Sequence, residues 1–361
     1  MPCGMNAEGE IRTPEPLRDE ALNLTPLSNS ATSAYLSCSL FVRYLNRIKN
    51  HYPLITRRIY YNIMRDRSEF QAKPPHFLSL GFITHDKPFN FNKCFIGGAS
   101  AYSAILARNF GFDSAIVTSV GRDFEDFDAL KGIRLAYQMG ESTTTFYNKP
   151  LEEGAEGSGS GRRIQYVTSV AERIKEETIP EEWFNAEIVY ICPVLNELEE
   201  GLIRKFEGSM IGVAPQGWMR SVGEGGRIEK KRWEKANEVL QAVDFVIMSD
   251  EDVFEEDVVE YVERANIFVL TRGRKGAELY LNKGSYHEHI DAFEREEVDA
   301  TGAGDVFGAA FLLRFNETKD AVESARFASC AASFVVEKVG VEGVPYRVEV
   351  EERMEKEGSK L

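Results

Sequence analysis

The sequence predicts an α/β protein whose mostly parallel central sheet is flanked by helices and carries a small β lid. From residue 76 onward, short apolar runs alternate with amphipathic segments, which is typical of a parallel sheet covered by helices. Two segments rich in threonine and aromatic residues interrupt this alternation, as lid strands would. The chain has 361 residues, which is enough for one large α/β domain.

The predicted elements follow the chain in order. His76–Ile83 predicts the first strand. Ala99–Phe110 predicts a helix that ends at Gly111, because glycine is common just past a helix C-terminus. Further strands are predicted at Ser114–Val120, Ile188–Ile191, Met210–Val213, Phe245–Met248 and Ile267–Thr271. Further helices are predicted at Asn196–Phe206, Glu229–Gln241 and Asp252–Glu263.

The two segments that break the alternation are Ser142–Asn148 and Arg163–Ser169. Between them lies Glu152–Gly161, which is rich in glycine, serine and glutamate. The region near 142–169 has two interpretations. It is an ordinary surface hairpin, or it is a β lid that excludes water from an active site at the sheet edge.

Composition restricts the classes of partner. The formal net charge of −15 argues against a nucleic-acid backbone as the main partner. The five cysteines are odd in number, widely spaced and free of C-x-x-C pairs, so a reducing cytosol is the simplest compartment. No run is long and apolar enough to span a bilayer, and the N-terminus lacks a signal-peptide pattern.

Charge also divides the chain. Residues 1–75 hold ten basic and seven acidic residues, a net charge of +3, so residues 76–361 carry −18. We expect 1–75 to be a poorly ordered extension, and a start codon placed too early would explain it. A targeting or oligomerisation arm is the other interpretation. The main folded domain is expected over 76–350, with a charged tail over 351–361.

The most informative segment is a glycine-containing turn at residues 299–305, which leads into an apolar helical run. Gly302 and Gly304 would let the backbone approach a phosphate at the positive end of that helix. Asp305 would lie in the first turn, where a carboxylate can accept a proton from a substrate hydroxyl. The other interpretation is a helix-capping aspartate after a flexible loop.

The string Thr301-Gly302-Ala303-Gly304-Asp305 resembles the D-T-G-A-G-D signature of the ribokinase (PfkB) family, with Ala300 at the leading aspartate position. The resemblance implies that Asp305 is the catalytic base. It implies that Gly302, Ala303 and Gly304 form the anion hole, and that Thr301 contacts the nucleotide.

A second group of motifs resembles the family's substrate side. Gly97 and Gly98 match the glycine pair that opens a helix, and Asp86 matches the aspartate that binds acceptor hydroxyls. Asn148 lies in the predicted lid and is assigned to the substrate by the same resemblance. Without the resemblance, the glycines would indicate helix packing and Asp86 a turn residue.

Thr271, Gly273 and Gly276 match the nucleotide-side strand and turn, and the resemblance spans about Phe77–Pro345. Two positions depart from the family pattern. Ala214 replaces an acidic residue, and Ser249–Asp252 replaces the N-x-x-E motif that is associated with Mg²⁺. Asp252 could take the metal-associated role, or it could be one of three acids that begin a helix.

The resemblance implies a cytoplasmic, ATP- and Mg²⁺-dependent kinase of a sugar, a polyol or a nucleoside, closest to the inositol-kinase-like branch. A homodimer that pairs its lids is a further expectation. The alternative is a catalytically weak sugar- or nucleotide-binding sensor that keeps the fold. A dinucleotide-dependent oxidoreductase is disfavoured, because no G-x-G-x-x-G opens the first helix.

Overall fold

Two β-sheets and the helices around the larger one make up the described part of the computed structural model, which covers residues 73–89, 93–150 and 163–357. The predicted extension 1–75 lies outside this part apart from its last three residues. The strands are β1 (Phe77–Leu80), β2 (Thr84–Pro88), β3 (Phe95–Gly97), β4 (Ser114–Gly121), β5 (Arg134–Gly140), β6 (Thr144–Pro150), β7 (Arg163–Ser169), β8 (Ile188–Ile191), β9 (Met210–Val213), β10 (Arg220–Val222), β11 (Ile228–Lys230), β12 (Phe245–Ser249), β13 (Ile267–Thr271), β14 (Ala277–Leu281) and β15 (Tyr286–Ile290). The α-helices are α1 (Ala99–Asn109), α2 (Ala236–Leu240), α3 (Glu255–Val262), α4 (Ala303–Thr318), α5 (Ala321–Val335) and α6 (Arg347–Glu357).

The larger sheet has nine strands in the order β15-β14-β13-β12-β9-β8-β1-β4-β5. The seven strands from β13 to β5 run parallel, and β14 and β15 are added antiparallel at one side. Parallel strands bring their carboxyl ends to one edge, where ligands of open α/β sheets bind. We call this the carboxyl edge.

The central strands are apolar on both faces because helices cover both sides of a parallel sheet. All four residues of β1 and all four of β8 are buried. The bounds predicted for β8, β9 and β13 match the structure, and the first helix begins at the predicted residue. The predicted α/β class with a mostly parallel sheet is confirmed.

The smaller sheet has the order β3-β2-β6-β7 and contains both predicted lid strands. β6 pairs antiparallel with β7, and β2 runs parallel to β6 and antiparallel to β3. The predicted linker between β6 and β7 lies outside the described residues. The sequence patterns did not reveal β2 and β3, which are short and follow directly on β1.

Two predicted helices are wrong over most of their length. The segment Asn196–Phe206 forms only a 3₁₀ turn at Glu200–Lys205. Asn196 has a left-handed φ of 63°, and the Glu197 carboxylate accepts the preceding backbone amides of Val194 and Leu195, so an α-helix does not start there. The segment Glu229–Gln241 begins within β11, which pairs with β10, and only α2 is α-helical.

The last helix crosses the boundary that the sequence predicted at residue 350. α6 covers Arg347–Glu357, and its Val350 is fully buried. Within the predicted charged tail, Met354 packs against the core and Arg353 pairs with Glu337, so the start of the tail contacts the domain. Among the described residues, no helix has the length and apolar character needed to cross a membrane.

Candidate active site

The turn before α4 is fixed by two features of its own sequence. Gly302 is the N-cap residue, with a left-handed φ of 85°, and a Cβ there would overlap the ring of Tyr102. The Asp299 carboxylate accepts the Thr301 backbone N–H at 3.0 Å and the Thr301 hydroxyl at 2.6 Å. The glycine-rich turn is therefore held by an aspartate upstream and by α1 below it.

The packing of α4 places its first turn at the carboxyl edge. Gly308 lies against Tyr190 near the end of β8, whereas Phe311 and Phe315 further along contact Phe245 at the start of β12. The helix thus runs from the carboxyl ends of the strands towards their amino ends. Its positive N-terminus, with half-buried Asp305 in the first turn, therefore faces the edge where an anion can bind.

The structure brings the two glycine motifs together. Ser103 of α1 contacts the backbone oxygen of Asp305 through its hydroxyl at 3.4 Å. At the start of the same helix, the Ser100 hydroxyl contacts the carbonyl oxygens of Gly81 and Phe82, each at 3.0 Å. The N-terminus of α1, which Gly98 caps, therefore joins the end of β1 to the turn that carries Asp305.

Asp86 is held above Gly97 by the lid sheet. β2 and β3 pair antiparallel, and a Cβ on Gly97 would overlap the Asp86 carboxyl group and crowd the Thr84 hydroxyl. Thr84 Oγ1 donates a hydrogen bond to Asp86 Oδ1 at 3.0 Å. A carboxylate with a fixed position beside a helix N-terminus can accept hydrogen bonds from the hydroxyls of a small molecule.

Asn148 lies further out on the lid. It pairs in register with Pro88, two residues beyond Asp86, and its Oδ1 accepts a hydrogen bond from Gln165 Nε2 at 2.9 Å. Its side chain is largely buried. Asn148 is thus on the same sheet as Asp86 but nearer the end of the lid.

Three of the four predicted nucleotide-binding residues lie at another part of the carboxyl edge, and the fourth, Thr301, lies in the turn before Asp305. Thr271 ends β13, and its Oγ1 donates to the Met248 carbonyl at the end of β12 at 3.3 Å. Gly273 and Gly276 follow in a tight turn, both with positive φ, closed by the Arg272 N–H on the Gly276 carbonyl at 2.8 Å. This turn is separated from Asp305 by the ends of β12 and β9.

Asp252, which the resemblance linked to Mg²⁺, has protein partners in the structure. Gln216 Nε2 donates to both of its carboxylate oxygens, at 2.9 and 3.1 Å. The Arg220 guanidinium lies 3.4 Å from the same carboxylate. Among the described residues, no cluster of three or more His, Cys, Asp or Glu side chains could hold a metal ion. Asp252 does not fit a resident metal site, because Arg220 offsets the charge that would attract a cation.

Sequence patterns did not indicate Glu197, a fully buried carboxyl group at this edge. It accepts backbone N–H groups from Phe82 at 2.9 Å, Val194 at 3.0 Å and Leu195 at 2.8 Å. Burial raises the pKa of Glu197, although these hydrogen bonds oppose the shift. Glu197 thereby ties the loop after β1 to the loop after β8. Residues 196–200 contain three glutamates, and nothing in the local sequence distinguishes Glu197 from the other two.

Tyr190 and Cys192 form the buried floor beneath Asp305. Burial is the main cause that raises the pKa of each group, and the negative charge of Asp305 raises both further. The Cys192 thiol contacts the Ser79 hydroxyl at 3.4 Å. Both groups therefore stay neutral, and the floor below the candidate base is uncharged.

Residues 234–346 match the family model of the pfkB family carbohydrate kinases. The chain is 25% identical to a nucleoside kinase of Methanocaldococcus jannaschii over 275 residues, which cover 73% of this chain and 86% of that protein. It is 26% identical to an inositol 3-kinase of Oryza sativa subsp. japonica over 267 residues, 68% of this chain and 64% of that protein.

A similar fold occurs in the sulfate complex of a pyrophosphate-dependent kinase in the ribokinase family. The TM-score is 0.65 and the sequence identity 21%, over 76% of this chain and 99% of the other. The family model covers the turn at Gly302–Asp305, and the curated relatives extend the likeness over most of the described fold. These comparisons support a ribokinase/PfkB-type carbohydrate kinase, a phosphotransferase that uses an alcohol group as acceptor.

Proposed function

We propose that this kinase transfers the γ-phosphoryl group of ATP, bound as its Mg²⁺ complex, to a hydroxyl of a small sugar, an inositol-like polyol or a nucleoside. The observation that carries this proposal is the contact between α1 and the turn before α4, through Ser103 and Asp305 and through Tyr102 and Gly302. This contact joins a hydroxyl-binding region and an anion-binding region in one site.

Asp305 is the proposed base. It accepts the proton of the acceptor hydroxyl as the oxygen attacks the transferred phosphorus, and the bond to the leaving ADP breaks. The N-terminus formed by Gly302, Ala303 and Gly304 stabilises the negative charge on the transferred group. The neutral floor of Tyr190 and Cys192 supports this role, because it adds no competing charge beneath the base.

Asp86 is the proposed acceptor ligand. Its carboxylate is fixed by Thr84 and by the absence of a side chain at Gly97, so it can orient two hydroxyls of one substrate. Asn148 would close over the acceptor from the lid. The two curated relatives act on a nucleoside and on inositol, which are both polyhydroxylated, and both belong in the acceptor panel.

Thr271, Gly273, Gly276 and Thr301 are the proposed nucleotide contacts. The turn after β13 adds the exposed basic residues Arg274 and Lys275, which suit an anionic donor. Because the structurally similar kinase is named as pyrophosphate-dependent, the donor panel includes inorganic pyrophosphate beside ATP.

The test measures donor consumption by the purified full-length chain against a panel of sugars, inositols and nucleosides. We expect turnover that depends on one polyhydroxylated acceptor. Binding of acceptor and ATP without turnover across the panel would instead support a sensor that keeps the fold. Absence of both binding and turnover in a folded protein would contradict the proposal.

A further inference from the structure

The loop after β9 places an arginine at the carboxyl edge to which the family motifs gave no role. Arg220 begins β10, and its side chain is only 14% exposed. Its guanidinium lies 3.4 Å from Asp252 Oδ1 and 3.4 Å from the Val194 carbonyl. Val194 follows β8 and Asp252 follows β12, and β9 lies between these strands. The guanidinium therefore spans the carboxyl end of β9.

The order of strands puts Arg220 between the two halves of the proposed donor site. The turn with Gly273 and Gly276 follows β13, and Asp305 lies close to Cys192 at the end of β8. The strands between them are β12 and β9. A donor whose base lies at the turn and whose terminal phosphate reaches Asp305 must therefore pass Arg220.

Charge supports the same position. The end of β12 carries three successive acids, Asp250, Glu251 and Asp252, and the whole chain has a net charge of −15. A polyphosphate would be repelled here without a cation. The N–H donors of an arginine form a planar fork that can bind two phosphate oxygens at once. The ammonium group of a lysine is a point charge and lacks this geometry.

Asp252 and Gln216 supply the support for this arginine. Gln216 bridges both oxygens of the Asp252 carboxylate, and the carboxylate faces the Arg220 guanidinium. Both charged side chains are mostly buried, so the pair is held in place by its surroundings. The contacts of Arg220 to the Asp252 carboxylate and to the Val194 carbonyl are each 3.4 Å long.

We propose that Arg220 binds the phosphate groups of the phosphoryl donor and that Asp252 acts as a positioning residue for Arg220 rather than as a metal ligand. This inference rests on the proposed function, because it assumes a polyphosphate donor that extends along the carboxyl edge.

The experiment measures the Kd of ATP and of inorganic pyrophosphate by calorimetry, and separately the donor KM and acceptor KM. Arg220→Lys keeps a positive charge beside Asp252 but removes the planar fork. The double variant Arg220→Gln/Asp252→Asn removes both charges, so that neither is left buried and unpaired. We expect both variants to weaken donor binding about tenfold or more, because each loses a charge-assisted hydrogen bond to the donor. The acceptor KM should stay within about twofold, because the acceptor lies beyond β8.

Arg232→Gln is the matched control. Arg232 also pairs with acids, Glu256 and Asp257, but its side chain is 58% exposed and its acidic partners belong to α3. We expect its donor affinity to equal that of the wild type. Donor affinity within about twofold of wild type in both Arg220 variants would overturn the inference. Unfolding of both variants beside a folded control would also overturn it, since the arginine would then be structural.

Direct binding separates this inference from the proposed function. Suppose that the wild type binds ATP or pyrophosphate, that the Arg220 variants lose this binding, and that no acceptor is phosphorylated. Arg220 is then a donor ligand, and the kinase proposal fails. If acceptors are phosphorylated and the Arg220 variants keep wild-type donor affinity, the kinase proposal stands and the Arg220 inference fails. A wild type that binds neither probe overturns the Arg220 inference.

Discussion

The Tyr190 hydroxyl lies directly against the α-carbon of Gly308, so that a Cβ at position 308 would overlap it. Tyr190 belongs to the central strand β8, and Gly308 lies one turn after Asp305 on α4. The contact therefore sets how closely the helix with the candidate base approaches the sheet. Among the described residues, the Tyr190 hydroxyl has no hydrogen-bond partner.

Gly308→Ala should lower both stability and turnover. The new methyl group must push α4 away from β8, an overpacking cost of about 1–3 kcal/mol that exceeds the gain of up to about 1 kcal/mol in helix propensity. Displacement of Asp305 should lower kcat more than it changes the acceptor KM. Urea unfolding and steady-state kinetics measure the two effects. Gly201→Ala is the control, because its Cβ would meet open space. A Gly308→Ala protein with wild-type stability and kcat would contradict this reasoning.

Tyr190→Phe should leave the protein as stable as the wild type or stabilise it by up to about 1 kcal/mol, because the lost hydroxyl is buried without a hydrogen-bond partner among the described residues. It should also relieve part of the cost of Gly308→Ala in the double variant, since the two positions share one contact. Unfolding free energies of the four proteins give the coupling. A loss above about 1 kcal/mol in Tyr190→Phe alone would show that the hydroxyl has a stabilising hydrogen bond and would contradict this prediction.

Gly97→Ala should impair acceptor binding selectively. Its methyl group would take the space of the Asp86 carboxyl and crowd Thr84. We expect the acceptor KM to rise about tenfold or more, while the donor Kd changes little. Asp86→Asn, which keeps the size and loses the charge, should raise the acceptor KM in the same direction. An equal rise in acceptor KM and donor Kd would contradict a specific role for Asp86.

The buried Glu197 carboxyl should make stability depend on pH. Burial raises its folded pKa above the ordinary 4.5, so the folded protein binds this proton more tightly than the unfolded chain. Its contribution is therefore most favourable below pH 4.5 and is lost as the pH rises through the raised folded value. We expect the unfolding free energy of the wild type, minus that of Glu197→Gln, to fall as pH rises over this window. Urea unfolding at several pH values measures it, and a difference that rises with pH would contradict the assignment.

The sequence predicted best what local patterns encode. β8, β9 and β13 were predicted with their bounds because each is a short apolar run. The turn at Gly302–Asp305 was predicted because its glycines and its aspartate are typical of a turn that leads into a helix N-terminus. The features that the sequence did not predict depend on contacts between residues that are far apart along the chain. The Glu197 carboxylate bonds to Phe82 across 115 positions, and this long-range bond helps to prevent the helix that the local pattern favours.

The partners of Asp252 show the same limit. Its motif position indicated a metal, yet its charge is met by Arg220, which is 32 positions away and enters from the hairpin of β10 and β11. Most of β11 was predicted as the start of a helix and β10 was not predicted at all, so the arginine could not be placed. The resemblance indicated a candidate site, and the side-chain geometry was needed to find Arg220 beside Asp252.

The most direct test of the proposed mechanism is the kcat of Asp305→Asn with the acceptor that the panel identifies. Asparagine keeps the size and position of the side chain but cannot accept the proton. We predict a fall in kcat of about 10²–10⁴-fold, with an ATP Kd within about threefold of wild type. Asp320→Ala, which removes a helix-capping aspartate from α5 away from the site, should cost about 1 kcal/mol of stability and leave kcat unchanged. An Asp305→Asn enzyme that turns over within about threefold of wild type would contradict the assignment of Asp305 as the base.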